Sequence, residues 1–113
     1  MFGNNVVMME GNLTSTPELK DINGAALTSF RMAVNERISE DKEETIFIDV
    51  DAWYERSELC QSQDMDKGDR VLVIGTLRER TWDDAEGNPR SKMSIVAKSV
   101  ALTKKKQVKT GSF

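Results

Sequence analysis

Between Thr45 and Trp53 two sets of side chains alternate without a break. Successive side chains on a strand take opposite faces, so Ile46, Ile48, Val50 and Ala52 make a core side, while Phe47, Asp49, Asp51 and Trp53 make an outer side. The same period runs from Leu27 to Arg37, where Phe30, Met32 and Val34 oppose Arg31, Ala33, Asn35 and Arg37. It returns from Ser91 to Leu102, where Met93, Ile95 and Ala97 oppose Ser94, Val96 and Lys98. Two further strands are apolar on both sides: Asn4 to Leu13, through Val6-Val7-Met8-Met9, and Arg70 to Trp82, through Val71-Leu72-Val73-Ile74. Surface of that kind needs covering, which predicts a homo-oligomer. Gly11-Asn12 and Gly75 interrupt these two strands, as the bends of a small closed barrel require.

The segments between are polar. Thr14-Ser15-Thr16-Pro17 breaks the chain, Glu18 to Ile22 reads as a short strand or connector, and Asn23-Gly24 is a tight-turn pair. Ser39 to Glu44 and Asp83 to Pro89 read as charged hairpin loops. Glu55 to Met65 is the one helical stretch, with Ser57 as its cap, Leu59, Cys60 and Met65 as inward residues, and Gly68 in the turn that ends it. Thr103 to Phe113 is basic and carries Gly and Ser, the composition of a disordered tail. The order is thus three main strands, a short helix and two more strands. This predicts an all-β chain: a five-stranded Greek-key barrel of the OB-fold class over residues 1–102, with the helix between strands three and four, and a tail over 103–113.

A chain of 113 residues makes one domain. No apolar run approaches the roughly 20 residues that cross a bilayer, and the N-terminus lacks the pattern of a secretory signal, so a cytoplasmic protein without membrane contact is expected. Cys60 is the lone cysteine and reads as a small packing residue. The absence of histidine argues against a zinc site and excludes histidine-based acid–base chemistry; no metal or other cofactor is expected. The net charge of −3 is unevenly spread, about −10 up to Glu86 and +7 from Gly87 onward. A phosphate backbone feels the local patch rather than the total, but so acidic a body argues against binding by charge alone.

Two large aromatics on one strand face, Phe47 and Trp53, suggest a surface built to touch something flat. Arg78, Arg80 and Trp82 repeat the device at spacing two, placing two fixed positive charges and an indole on one face. Aromatics with arginines on open strands are what single-stranded nucleic acid requires, since bases stack and phosphates are neutralised. Each signal also has a plainer reading. Phe47 and Trp53 would serve equally in packing or a subunit contact, Arg78 and Arg80 as partners of Glu79, Asp83 and Asp84, and Lys104, Lys105, Lys106 and Lys109 as a solubilising tail rather than further phosphate contacts. Asp49 and Asp51 share a face, but no nucleophile, histidine or Gly-rich phosphate loop accompanies them, so no catalytic residues are assigned and no enzyme is expected.

The ordered phrases Asn5-Val6-Val7, Glu10-Gly11-Asn12-Leu13, Thr16-Pro17-Glu18-Leu19-Lys20, Phe30-Arg31-Met32-Ala33-Val34-Asn35, Phe47-Ile48-Asp49-Val50 with Ala52-Trp53, Lys67-Gly68-Asp69-Arg70-Val71-Leu72-Val73, and Gly75-Thr76-Leu77-Arg78 with Trp82-Asp83-Asp84 and Glu86-Gly87-Asn88 resemble the bacterial single-stranded DNA-binding proteins over about residues 3–102. The resemblance implies a sequence-independent coat on single-stranded DNA in replication, recombination and repair, usually as a homotetramer. It implies base stacking on Phe47, Trp53 and Trp82 and phosphate contacts from Lys20, Arg31, Arg37, Lys67, Arg78 and Arg80. The chain departs from the family pattern in several places. Ile38 stands near a further stacking aromatic, Val6 stands where some members have lysine, and Asp51 replaces an apolar residue. The Gly/Gln/Pro-rich linker and acidic tip of the family are not seen, so tip-mediated recruitment of replication proteins is not expected. Two other readings stay open: a protein-interaction module on the same fold, with the aromatics as interface anchors and weak nucleic-acid binding, and an RNA-binding OB domain.

Overall fold

The computed structural model describes residues 1–106. The alternating segments close on one another as strands β1 (Val7–Leu13), β2 (Glu18–Ile22), β3 (Ala25–Ser39), β4 (Lys42–Trp53), β5 (Arg70–Asp83) and β6 (Pro89–Lys104), with one helix, α1 (Glu55–Ser62), between β4 and β5. Around the barrel β1 pairs with β5, β5 with β6, β6 with β4, β4 with β3, and β3 returns to β1. Every pairing in that ring is antiparallel except β4 with β6, which is parallel. This is the five-stranded OB-fold barrel the pattern predicts. The sixth strand, β2, is the segment read as strand or connector; it hangs on β3 outside the ring and all its residues are exposed. Leaving it aside, α1 follows the third barrel strand.

The core side of each strand is the side its alternation gives. Phe30 and Met32 of β3, Val50 and Ala52 of β4, Val71 and Val73 of β5, and Ile95, Ala97 and Val100 of β6 meet Leu13 of β1 in one buried cluster. Ring closure needs two close backbone approaches. A Cβ on Gly11 would run into the Ala33 carbonyl, and one on Gly75 into the Val96 carbonyl, so only glycine lets the neighbouring strands this near. At Gly75 the β5–β6 register also shifts, the bend expected there.

The helix differs from its sequence reading in several ways. Ser57 does not cap it: the residue at the cap is Tyr54, with φ of 55° and no side-chain hydrogen bond. Ser57 lies one turn in and is buried, where its hydroxyl meets that of Thr28 at 2.6 Å, with Gln61 Nε2 donating to the same Thr28 oxygen at 3.2 Å. A serine inside a helix stays satisfied there by a tertiary partner, which a local pattern cannot show. Leu59 faces solvent. Cys60 and Met65 do point inward, but Met65 lies beyond the last helical residue, and Asp64 (φ 53°) is the first left-handed residue after the helix, with Gly68 (φ 91°) left-handed in the turn that follows. Burial pushes the Cys60 thiol up to about 11. Ellman's reagent is therefore expected to leave the native protein unlabelled over an hour at pH 8 and to react at once in guanidinium; rapid native labelling would show the barrel end open.

Residues 103–106 of the predicted tail are part of the folded structure. β6 runs through Lys104, and Lys105 and Lys106 fold back onto the turn after α1. The Asp69 carboxylate, buried completely, accepts the backbone N–H of Asp66, the backbone N–H of Lys106 and the Lys105 ammonium, each at 2.8 Å. Burial acts to raise the Asp69 carboxyl, but these three donors prevail and hold it below the ordinary carboxylate value. Beside it the Thr16 hydroxyl, the Lys67 N–H and the Lys106 ammonium bring Asp66 down to about 2. Lys109 and the rest of the predicted tail lie outside the described residues.

Candidate nucleic-acid interface

The outer face of the barrel is built by cross-strand register. On β4 the residues Phe47, Asp49, Asp51 and Trp53 stand opposite Ala33, Arg31, Ser29 and Leu27 of β3. The parallel pairing sets Asp49 beside Ser94 and Asp51 beside Val96 of β6. The β5–β6 ladder then aligns Arg78 with Ser94, Arg80 with Lys92 and Trp82 with Arg90. Opposed residues share a face, so the outer sides of β3, β4, β6 and β5 form one continuous surface.

An open groove of about 910 Å³ crosses this surface. Trp53 and Trp82 both line it, as do Lys20, Arg31 and Arg80, so five of the predicted site residues converge. Trp82 is 44% exposed and Trp53 half-buried, its ring 6.4 Å from that of Tyr54. Phe47 is exposed on the same face without lining the groove, and the Arg31 guanidinium lies 5.5 Å over its ring, a cation–π contact that occupies one side of it. Arg78 shares the strand face of Arg80 and Trp82 but stands outside the groove. Among the described residues neither Arg78 nor Arg80 has an ion-pair partner, so the pairing of these arginines with Glu79, Asp83 or Asp84 does not occur.

Two predicted cations lie elsewhere. Arg37 is used by the β3–β4 hairpin, donating to the Ser39 and Glu40 carbonyls at 3.4 and 3.2 Å. Lys67 sits in the turn after α1, exposed and away from the groove. Lys104, Lys105 and Lys106 line a separate hollow of about 340 Å³ with Arg70, Asn12 and Gly68. Two of these lysines are already paired, Lys105 with Asp69 and Lys106 with Asp66.

Lys92 is the groove cation that the sequence reading passed over. Its alternation with Ser94 on β6 was the available signal. Lys92 and Arg31 both pair with Asp49, the latter at 3.0 Å. Partial burial acts to raise the Asp49 carboxyl, and the hydrogen bonds from Lys92 and Arg31 outweigh it, leaving the group below its ordinary value. Asp51 has a different environment: it accepts the Ser29 hydroxyl at 3.0 Å and has no cation partner among the described residues. The lining thus carries four cations, Lys20, Arg31, Arg80 and Lys92, against three carboxylates, Glu18, Asp49 and Asp51. Charge of that balance attracts an anionic strand only weakly, so flat contacts at the indoles must supply most of any binding energy. No cluster of metal-binding side chains occurs among the described residues.

A family model described as "Single-strand binding protein family" matches residues 4–103. A single-stranded DNA-binding protein of Wolinella succinogenes is 32% identical over 114 residues, which cover 96% of this chain and 70% of that protein. One from Treponema pallidum is 39% identical over 102 residues, covering 87% of this chain and 57% of that protein. One from Thermus aquaticus is 37% identical over 95 residues, covering 82% of this chain but 35% of that protein.

Proposed function

The chain belongs to the single-strand binding protein family, and on that premise we propose that it binds and protects single-stranded DNA without strong sequence dependence, in replication, recombination and repair. One observation carries the reading: two indoles and two cations outside the Asp49 pairings, Trp53, Trp82, Lys20 and Arg80, face the same open groove on the barrel's outer sheet, Arg80 without an ion-pair partner among the described residues and Lys20 with only a loose 3.8 Å contact to exposed Glu18. Bases stack on Trp53 and Trp82, and on the free side of Phe47. Lys20, Arg78 and Arg80 take the phosphates, while Arg31 and Lys92 are held largely by Asp49. The activity is binding alone, with no bond made or broken, and its place is the cytoplasm.

The protein works as a homo-oligomer. Val6, just before β1, and Met8 on the strand both lie bare, and Met8 is in register with half-buried Ile74 of β5, an apolar strip that supports a second copy packing there. In a tetramer four short sites on one strand multiply weak contacts by effective concentration.

The test is a tryptophan-fluorescence titration with oligo-dT and with a blunt duplex at two salt concentrations. Oligo-dT alone is expected to quench the emission, and added salt to weaken binding with a shallow slope, about three phosphates' worth or fewer per site. Absence of quenching by oligo-dT would overturn the stacking assignment and favour the protein-interaction reading. Equal or tighter binding of a matched RNA oligomer would overturn the preference for DNA.

A further inference from the structure

We infer that Asp51 biases the groove toward bases that present an amino group, so that cytosine is taken in preference to thymine. The inference rests on the single-stranded DNA reading above and concerns which bases that same groove accepts. Asp51 stands between Asp49 and Trp53 on the outer face of β4, about 7 Å along the strand from each. Its neighbour Asp49 is neutralised twice over, by Arg31 and Lys92, whereas Asp51 receives only the Ser29 hydroxyl.

The cross-strand register places an apolar pair, Leu27 with Trp53, next to an acceptor pair, Ser29 with Asp51. All four residues line the groove. Because the Ser29 hydroxyl spends its proton on Asp51, its remaining lone pairs are acceptors, as are those of the carboxylate. A base stacked on Trp53 with one edge toward Asp51 lays that edge over acceptors, while the groove donor Lys20 stands on β2, opposite Leu27 on the far side of β3.

A phosphate is repelled from that surface by charge. Cytosine offers its N4 amino group to it, and a carboxylate accepting from cytosine N4 is an established pairing chemistry. Thymine has O4 at that corner and its one donor, N3–H, lies between O4 and O2, so it reaches the carboxylate only with a carbonyl oxygen turned against the same acceptors, whereas cytosine donates from its C5-side N–H with N3 and O2 left facing water. Guanine and adenine, with amino groups of their own, fall on the cytosine side.

The experiment compares Kd for oligo-dC and oligo-dT of one length, at one salt concentration, in the unmodified protein, in Asp51→Val and in Asp51→Asn. The unmodified protein is expected to favour oligo-dC about fivefold. Asp51→Val, a β-branched residue suited to a strand, is expected to abolish that preference while tightening oligo-dT binding, because a negative charge leaves the groove. Asp51→Asn, which keeps the shape and adds a donor, is expected to flatten the preference as well, and it keeps the test intact should the valine protein fold poorly. A dC-to-dT ratio unchanged by both substitutions overturns the inference alone. Failure of the unmodified protein to bind either oligomer overturns the single-stranded DNA reading and this inference with it.

Discussion

Trp82→Ala is expected to weaken oligo-dT binding by about 1–3 kcal/mol, roughly 5- to 150-fold in Kd, with the thermal midpoint unmoved. The size follows from where the ring sits. Trp82 stands near the end of β5, 44% exposed and outside the buried cluster, so its removal opens no cavity. Among the described residues no cation or second ring lies against it, so its faces are available to a base. The other two aromatics give less legible experiments. Trp53 is half-buried beside Tyr54, and its truncation mixes lost packing with lost stacking. Phe47 has Arg31 over one side, and its truncation removes that cation–π contact along with the ring, leaving Arg31 with Asp49 alone. Anisotropy of a labelled oligo-dT, measured beside a thermal melt, separates the cases. A Kd within twofold of the unmodified protein would remove Trp82 from the interface. Trp82→Phe is expected to recover most of the loss, since a smaller flat ring still stacks.

Asp69→Ala is expected to be the most destabilising of the surface-adjacent substitutions, by about 2–3 kcal/mol. The carboxylate joins two chain segments by three donors: the turn after α1 through the Asp66 N–H, and the residues following β6 through Lys105 and the Lys106 N–H. Without it those two N–H groups lose their acceptor, while the Lys105 ammonium, about half exposed, recovers water. For a chain of this length the loss lowers the midpoint by roughly 8–20 °C. The pH dependence has a definite sign. The Asp69 carboxyl is lowered in the folded state, so its contribution is complete above the ordinary aspartate value of about 3.9 and drains away as pH falls through the lowered one. Asp66, at about 2, marks how far down the neighbouring part of the clasp holds. Thermal melts at pH 7 and pH 2.5 should show the gap between wild type and Asp69→Ala closing at the lower pH. A gap that stays constant would mean Asp69 contributes through packing rather than through its charge.

How much of this was readable in advance depends on how far apart in the chain the partners lie. The alternation of Thr45 to Trp53 is local, and it assigned Val50 and Ala52 to the core and Phe47 and Trp53 to the surface correctly. Ile46 obeys the same alternation but lies where the β3–β4 hairpin outruns the barrel, so its core-side face finds nothing to cover it. The convergence of Trp53 with Trp82 was legible only through the strand order, since β4 and β5 are brought together by β6 between them. The pairing of Asp49 with Lys92 depends on the parallel β4–β6 contact, which no short window reports. Lys105 and Lys106 read as tail because a run of lysines has no local reason to fold; their partners, Asp69 and Asp66, lie more than thirty residues earlier. Ser57 was misjudged for the same reason, its partner Thr28 being on a different strand.

The parallel contact between β4 and β6 has a consequence for how the molecule comes into being. β6 is the last of the barrel strands in chain order, and it supplies the partner for β4 on one side and for β5 on the other. A nascent chain that has emerged only as far as β5 can pair β3 with β4, but the outer edge of β4 has no neighbour until the β6 segment leaves the ribosome. Closure of the barrel therefore waits on the synthesis of β6, and pairings so distant in sequence are slow to form. Until then β4 and β5 each have an unpaired edge, and on β4 the two carboxylates Asp49 and Asp51 are of the kind that discourages strand-to-strand aggregation between chains made on the same message.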